Sequence, residues 1–337
     1  MADTVKNADL RALTLHEVIA RLLEPQPTCV LFHARPDGDA VGSAFALALW
    51  LRAMGSPAWC LCADEVPERL RFLTEGLQQS VLPEHMPAEF VDARAVSVDT
   101  ASPAQLGRLY ERFAGRIELM IDHHGKGTPY ADAYICPEAA ATGEVVYDLM
   151  AASGKEIPAG CAALLYAAIS ADTGCFRYSN VTRDTHLRAA ALVESGIDAA
   201  EINRRLFEVK SMELLRAERA GFDRLSFYED GKVAILTFPY ELRSALELSD
   251  EHLETLVDVA RCVEGVEVAV AIRQSTPEGV FRVSLRANVD FDVAEVAAEF
   301  GGGGHRRAAG TSVRAADIAA AERAVADAIL ARRGGKR

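Results

Sequence analysis

Three side chains able to hold a metal, His33, Asp37 and Asp39, stand within seven residues in the run His33-Ala34-Arg35-Pro36-Asp37-Gly38-Asp39-Ala40-Val41-Gly42-Ser43. An imidazole and two carboxylates this close suit hard to borderline divalent ions such as Mn²⁺, Mg²⁺ or Fe²⁺. Farther along, Asp99 follows Ala95-Val96-Ser97-Val98, Asp122-His123-His124 follows Leu119-Met120-Ile121, and Asp172 ends the apolar segment from Leu164 to Ala171. Several carboxylates beside two or three imidazoles are enough for two metals sharing one Asp. Such a pair activates a water and clamps the charge of a phosphoryl group. Taken singly, each piece has a plainer meaning. An Asp at a strand end is usually a cap or turn residue, Asp39 could merely cap the helix that starts there, and a His pair is more often surface or core. The order of the pieces, each after an apolar segment, raises the set above those meanings.

Strands must carry these residues to a common edge. Apolar strand patterns at 28–33, 57–62, 94–98 and 117–121 alternate with helical patterns at about 10–24, 39–54, 142–153, 158–171 and 183–195. The alternation predicts an α/β fold whose N-terminal part is a mostly parallel, doubly wound sheet. All the candidate ligands but Asp172, which ends a helical segment, then fall after the carboxyl ends of strands, where open α/β sheets bind ligands. Residues 196–228 are helical and highly charged and read as a connector. Strand patterns at 232–238, 266–274 and 280–286 follow, then a helix near 292–300, a glycine-rich loop and a final Ala/Arg-rich helix. The expected organisation is a catalytic domain over 1–195 and a smaller C-terminal α/β domain over 229–337, with a cleft between them.

Half of the 337 residues are hydrophobic, so a sizeable core in two domains is expected. With 36 basic against 49 acidic residues the net charge is -13, which argues against a broad basic nucleic-acid surface but not against a small anionic substrate. The seven cysteines form no CxxC pair and read as reduced core residues. The N-terminal stretch carries early acids and no apolar leader core. The longest uncharged apolar-rich stretch, 157–171, falls short of the roughly 18–20 residues a membrane span takes. A cytoplasmic protein with no membrane partner is expected.

The second signal lies in Gly301-Gly302-Gly303-Gly304-His305-Arg306-Arg307-Ala308-Ala309-Gly310. Consecutive glycines permit close backbone approach, and their amides can cradle an anion; four glycines alone could equally be a flexible loop. Arg282 and Arg286 alternate along Phe281-Arg282-Val283-Ser284-Leu285-Arg286, which puts them on one strand face. Guanidinium forks match phosphate geometry, although a solvated strand face would look the same. Arg177, after the fourth segment, is a weaker candidate.

The run at 33–43, Asp99, Asp122-His123-His124 and Asp172-Thr173-Gly174 resemble, in order, the four motifs of the DHH phosphoesterase superfamily. The resemblance covers most of residues 28–180. That superfamily includes RecJ exonucleases, family II inorganic pyrophosphatases and NrnA-type oligoribonucleases. GGGH-x-x-A-A-G resembles the signature of the substrate domain found in RecJ and NrnA proteins, whereas the pyrophosphatase branch carries a different C-terminal domain. The resemblance implies that His33 and Asp37 bind one metal, that Asp39, His123 and Asp172 bind the other, and that Asp99 bridges them. Two Mn²⁺ per chain are implied, with Mg²⁺ or another divalent metal as the alternative. Asp122 would orient a ligand imidazole, His124 would face the substrate phosphate, and a hydroxide held between the metals would attack. Gly302, Gly303, Gly304 and His305, with Arg286, Arg282 and Arg177, would contact substrate.

A two-domain chain without the added parts of RecJ or of membrane-linked cyclic-dinucleotide phosphodiesterases looks like the NrnA type. The activity implied is hydrolysis of short oligoribonucleotides (nanoRNA), linear dinucleotides such as pApA, or 3′-phosphoadenosine 5′-phosphate (pAp). Two other readings stay open: an inorganic pyrophosphatase, separated by comparing phosphate released from pyrophosphate and from pAp, and a non-catalytic nucleotide- or RNA-binding protein, whose sign would be binding without product. A homodimer is also left open.

Overall fold

The four apolar runs read as strands become β1 (Thr28–Leu31), β2 (Ala58–Leu61), β3 (Arg94–Val98) and β4 (Ile117–Asp122), and β5 (Asp132–Ile135) joins them. In this computed structural model, which describes residues 10–334, all five pair in parallel in the order β2-β1-β3-β4-β5. The chain passes from β1 to β2 on one side and returns to place β3 on the other. The switch point therefore lies between β1 and β3, where an open sheet leaves a crevice at its carboxyl ends. β1 leads into His33 and β3 into Asp99, so the two face the same crevice.

Residues up to Val209 form one compact unit and residues from Lys210 onward a second. The helices of the first are α1 (Leu15–Leu22), α2 (Gly38–Ala53), α3 (Arg108–Phe113), α4 (Thr142–Ala152), α5 (Ala159–Asp172), α6 (Arg183–Glu194) and α7 (Ala199–Phe207). Alternate strand residues Val30, Phe32, Cys60, Val96, Val98, Leu119 and Ile121 pack with α2, α4 and α5. Their neighbours Cys29, Leu31, Leu61 and Ala95 pack with Leu109 and Phe113 of α3 on the opposite face. Both faces are covered, as the strand period of two requires.

Small residues set how closely the helices cross. A Cβ on Gly38 would lie 2.5 Å from the Ala171 Cβ, one on Gly42 2.5 Å from the Leu164 carbonyl oxygen, and one on Gly143 2.6 Å from the Ala168 Cβ. This seam lets α2 and α4 press against α5, and it brings Asp39, Thr142 and Asp172 to one place.

The helix expected over 10–24 is confined to Leu15–Leu22. Thr14 and Glu17 form a capping box that starts it. The preceding residues follow β5 instead, with Leu13 N donating to the Ala133 carbonyl and Ala133 N to that of Arg11. The N-terminal residues 1–9, examined for a leader core, and the last three lie outside the described residues. No helix among the described residues is long and apolar enough to cross a membrane, and all seven cysteines are free.

In the second unit, α8 (Met212–Phe222) precedes β6 (Leu225–Tyr228), β7 (Val233–Phe238), α9 (Tyr240–Ala245), α10 (Leu256–Arg261), β8 (Val268–Arg273), β9 (Val280–Ala287), α11 (Val293–Glu299), β10 (Gly303–His305), β11 (Ala308–Arg314) and α12 (Ile318–Gly334). Its sheet runs β10-β11-β9-β8-β7-β6, antiparallel except for the parallel pair β7/β8. The α11 and α12 helices cover one face, over Val233, Ile235, Val270, Ile272, Phe281, Val283 and Leu285. On the other face α8 and α10 pack on Ala234, Leu236, Ala269 and Ala271 of β7 and β8. Beyond them, Gly310 and Ser312 of β11 remain exposed on that face.

The glycine stretch is not a loop. Residues 303–305 form an edge strand hairpinned to β11, a strand the sequence patterns did not announce. Glycine permits it because a Cβ on Gly304 would lie 2.6 Å from the Ala308 carbonyl oxygen, and one on Gly302 2.3 Å from that of Gly310.

Candidate metal centre and substrate face

Asp37 caps α2, its Oδ1 accepting from Asp39 N (3.1 Å) and Ala40 N (3.0 Å). Its Oδ2 is left facing His33 Nε2 at 3.6 Å. The cap is thus Asp37, and Asp39, one residue into the helix, is free to point into the crevice. His33 is turned by a contact of Nδ1 with the Ala34 carbonyl (3.0 Å), which directs Nε2 to Asp37 and, at 3.5 Å, to Asp99 Oδ2. Asp99 itself sits in the left-handed region (φ 54°) while its N–H still donates to the Ile121 carbonyl at 3.0 Å. Such strain in a buried non-glycine residue persists only where the surroundings fix it.

His123 repeats the arrangement. Its Nδ1 meets the Ala139 carbonyl at 3.1 Å, and Nε2 lies 3.5 Å from Asp172 Oδ2, 3.7 Å from Asp99 Oδ1 and 3.9 Å from Asp39 Oδ2. Two groups of donors result, His33 with Asp37 and Asp99, and Asp39 with His123 and Asp172; within each, the candidate ligand atoms lie within 4.8 Å of one another. These separations are too long for direct hydrogen bonds. Ligands held about 2.1 Å from one ion at octahedral angles lie roughly 3 Å apart, so small inward shifts would bring the three donors of each group onto one ion. Asp99 contacts both groups.

Electrostatics favours a cation here. Burial, then the charges of Asp99 and Asp172, push the Asp39 carboxyl well above the usual carboxylate range. Burial, then Asp37 and Asp99, do the same to Asp172. Burial also opposes ionisation of Asp99, but His33, His123 and His124 outweigh it and hold that carboxyl low. A cluster that drives two of its own carboxyls toward neutrality is one a divalent ion would relieve. Access is graded: Asp39, Asp99 and Asp122 are buried, whereas the side chains of Asp172 and Asp37 are 30% and 52% exposed and mark the open side.

Asp122 holds the second imidazole of the His123-His124 pair. Its Oδ1 accepts from His124 Nδ1 at 2.7 Å and from the backbone N–H groups of His123 (2.8 Å) and His124 (3.3 Å). The imidazole it orients is therefore that of His124, which with Asp99 and Asp122 forms a further group of possible ligand atoms. Burial works against charge on His124, but the Asp122 hydrogen bond and the field of Asp99 raise its pKa to about 9.

Three supporting residues escaped sequence reasoning. Asp39 accepts from Thr142 N (2.6 Å), Gly143 N (2.9 Å) and Ser43 Oγ (2.8 Å), while Thr142 Oγ1 donates to Asp99 Oδ1 at 2.9 Å. The start of α4 is thus capped from another helix by Asp39, and Thr142 ties together the two buried carboxylates. Two signals were available: Ala141 at the N-cap position cannot cap its own helix, and Ser43 stands four residues after Asp39 on one helical face.

In the second unit, His305 pairs with Ala308, and Ala308 with Arg286, so the three share one row of one sheet face. Gly303, Gly310 and Ser284 form the next row. A Cβ on Gly303 would meet nothing within 4 Å, unlike one on Gly302 or Gly304. The backbone has no need of glycine at 303; its effect is to keep the exposed face bare. Arg177, by contrast, donates through Nε to the Gly174 carbonyl and lies over the Phe207 ring at 5.8 Å, both within the first unit.

Comparison with known proteins agrees with this division. Residues 27–169 match the model of the DHH family, N-terminal domain, and residues 230–331 that of the DHHA1 domain. A protein of Thermus thermophilus named bifunctional oligoribonuclease and PAP phosphatase NrnA is 32% identical over 305 residues, covering 90% of this chain and 89% of its own. An exopolyphosphatase-related protein from Bacteroides fragilis superposes with a TM-score of 0.84 at 23% identity, over 94% of this chain and 97% of its own. RecJ of Thermus thermophilus in complex with Mn²⁺ superposes with a TM-score of 0.50 at 16% identity, over 96% of this chain and 56% of its own.

Proposed function

The chain belongs to the DHH family, and from that premise we propose that it is a phosphoesterase hydrolysing short oligoribonucleotides, linear dinucleotides such as pApA, and pAp. The observation that carries this reading is the pair of donor groups meeting at Asp99. His33 and Asp37 would hold one divalent ion, Asp39, His123 and Asp172 a second, with Asp99 shared. Mixed carboxylate and imidazole donors favour Mn²⁺, with Mg²⁺ as the alternative. Bound there, the ions would supply a water of lowered pKa and positive charge against phosphoryl oxygens.

The chain's own residues do the rest. Asp122 fixes His124 through Nδ1, and the imidazole so held would donate a proton to a phosphoryl or leaving oxygen. Thr142, Gly143 and Ser43 hold Asp39 in one orientation, so no reorganisation is needed when charge develops. Arg286, His305 and the bare edge at Gly302, Gly303 and Gly304 take the nucleotide, and Arg282 and Arg177 are assigned supporting substrate contacts. The DHHA1 match of the second unit and the two activities in the Thermus relative's name support a nucleotide substrate over pyrophosphate.

The test is a panel of pAp, pApA, cyclic di-AMP, short RNAs of graded length and pyrophosphate, each with Mn²⁺ and with Mg²⁺. Turnover of pAp, pApA and short RNA with little on pyrophosphate is expected. Pyrophosphate as the best substrate, or binding without product throughout, would overturn the assignment.

A further inference from the structure

The imidazoles of the two donor groups are each turned by a backbone carbonyl, His123 Nδ1 by that of Ala139 at 3.1 Å and His33 Nδ1 by that of Ala34 at 3.0 Å. A carbonyl only accepts, so the ring proton sits on Nδ1 in each case while Nε2 faces the carboxylates. A peptide unit is planar and trans, so its C=O and the N–H of the next residue point in opposite directions. Whatever holds that N–H therefore aims the carbonyl. The Ala140 N–H donates to Glu144 Oε2 at 3.1 Å, and the Arg35 N–H donates to Asp64 Oδ2 at 2.9 Å. The same line, imidazole to peptide to carboxylate, thus stands behind both histidines. The two supporting acids come from separate parts of the chain, the first turn of α4 and the loop after β2.

Glu144 is not an ordinary cap. An acid at the third position of a helix usually reaches back to the N-cap residue, here Ala141, whereas Glu144 reaches one residue farther, to Ala140. The Ala140 carbonyl accepts from Asn180 Nδ2 at 3.0 Å, and the same Nδ2 donates to the Asp172 carbonyl at 3.1 Å. Ala140 is thus tied on both sides. Glu144 is buried, and Arg188, which meets it through Nη1 at 3.3 Å, also grips Asp148 through Nε and Nη2. At the other histidine, Arg35 is held at φ 55°, a backbone cost that a non-glycine residue bears only where its surroundings impose it. Asp64 is exposed. A carboxylate at one end of a peptide polarises it and makes its carbonyl the stronger acceptor, which raises the basicity of the imidazole that donates to it. We propose that Glu144 and Asp64 are positioning residues, each acting through one peptide, Glu144 on His123 and Asp64 on His33. They fix ring orientation and tautomer, and they bias the centre toward an ion that takes nitrogen, such as Mn²⁺, over oxygen-seeking Mg²⁺. The proposal deepens the reading above and rests on it in taking the two histidines as ligands.

The test reads metal binding apart from turnover in the full-length protein. The metal-free chain is titrated calorimetrically with Mn²⁺ and with Mg²⁺, and melting temperatures are taken alongside. His123→Ala and His33→Ala identify which Mn²⁺ site each ring serves. Glu144→Ala should weaken the His123 site for Mn²⁺ about tenfold, the lower end of the range for groups that orient metal ligands. The His33 site should be unchanged, and Mg²⁺ affinity should stay within about threefold because that ion depends on oxygen donors. Glu144→Gln keeps an acceptor for the Ala140 N–H and should recover most of the loss. Asp64→Ala, at a position screened by solvent, should cost the His33 site a smaller loss of about threefold and leave the His123 site alone. Its exposure keeps the test readable where Glu144→Ala does not fold. Equal losses for Mn²⁺ and Mg²⁺, or equal losses at both sites, in Glu144→Ala would mark a packing role and overturn the proposal. So would Mn²⁺ affinity unchanged in the Glu144 and Asp64 variants while His123→Ala and His33→Ala abolish their sites. Mn²⁺ binding unchanged in both histidine variants would overturn the ligand reading, and this proposal with it.

Discussion

At the carboxyl ends of β1 and β3 the polar groups are crowded, mostly buried and tied to one another; on the face of β9 and β11 they are few, spaced and partly open to solvent. Asp39 accepts three hydrogen bonds and Asp122 three, whereas Gly303, Gly310 and Ser312 offer only a bare surface. The difference matches two tasks. Chemistry needs donors fixed before charge develops. Recognition of a flexible strand needs room and a few well-spaced charges. Variants in the first region should therefore strike turnover and metal binding together, and variants in the second should strike substrate affinity alone.

The largest effect is expected from Asp99→Asn. Asp99 touches both donor groups, so its loss should cost more than the roughly 10²–10³-fold typical of one preorganised group. Mn²⁺ at a hundredfold excess over its Kd should stabilise the wild type by about 2.7 kcal/mol per site. That thermal shift should largely vanish in Asp99→Asn and persist in Arg286→Ala. A full metal-induced shift in Asp99→Asn would break the comparison at its strongest point.

Next comes Thr142→Val, which keeps shape but removes the hydroxyl that bonds Asp99. Groups that orient metal ligands typically contribute 10–100-fold in affinity, and calorimetric titration with Mn²⁺ should show a loss in that range. Thr142→Ser should restore it. A loss in Thr142→Val confined to melting temperature, with metal affinity unchanged, would reduce Thr142 to a packing residue.

The two regions were unequally legible from sequence. His33, Asp99, Asp122 and Asp172 stood out because each is a polar residue terminating an apolar run, and a buried parallel strand or central helix makes that contrast sharp. Thr142 did not, since a Thr opening a helix looks like ordinary capping; only the fold reveals that its partners come from α2 and the end of β3. The order β2-β1-β3 was equally hidden, because it depends on which strands pair rather than on any one segment. In the second unit the hairpin of β10 and β11 was missed because glycine carries neither strand propensity nor period.

The smallest effect, and the finest cut, lies between neighbouring glycines. Gly304 has φ 140° and its Cβ would strike the β11 backbone, so Gly304→Ala must distort the hairpin at a cost of about 1–3 kcal/mol. Gly303 meets nothing, and its row contains Gly310 and Ser284 on the exposed face. Gly303→Val should therefore keep the fold, with β-branching even favouring an edge strand, while its side chain intrudes where a nucleotide would lie. The expected result is a several-fold rise in KM at constant kcat, with an unchanged melting temperature and an unchanged Mn²⁺ shift. If Gly303→Val and Gly304→Ala behaved alike, the bare face would be a requirement of folding; if Gly303→Val left KM alone, that face would not be where substrate sits.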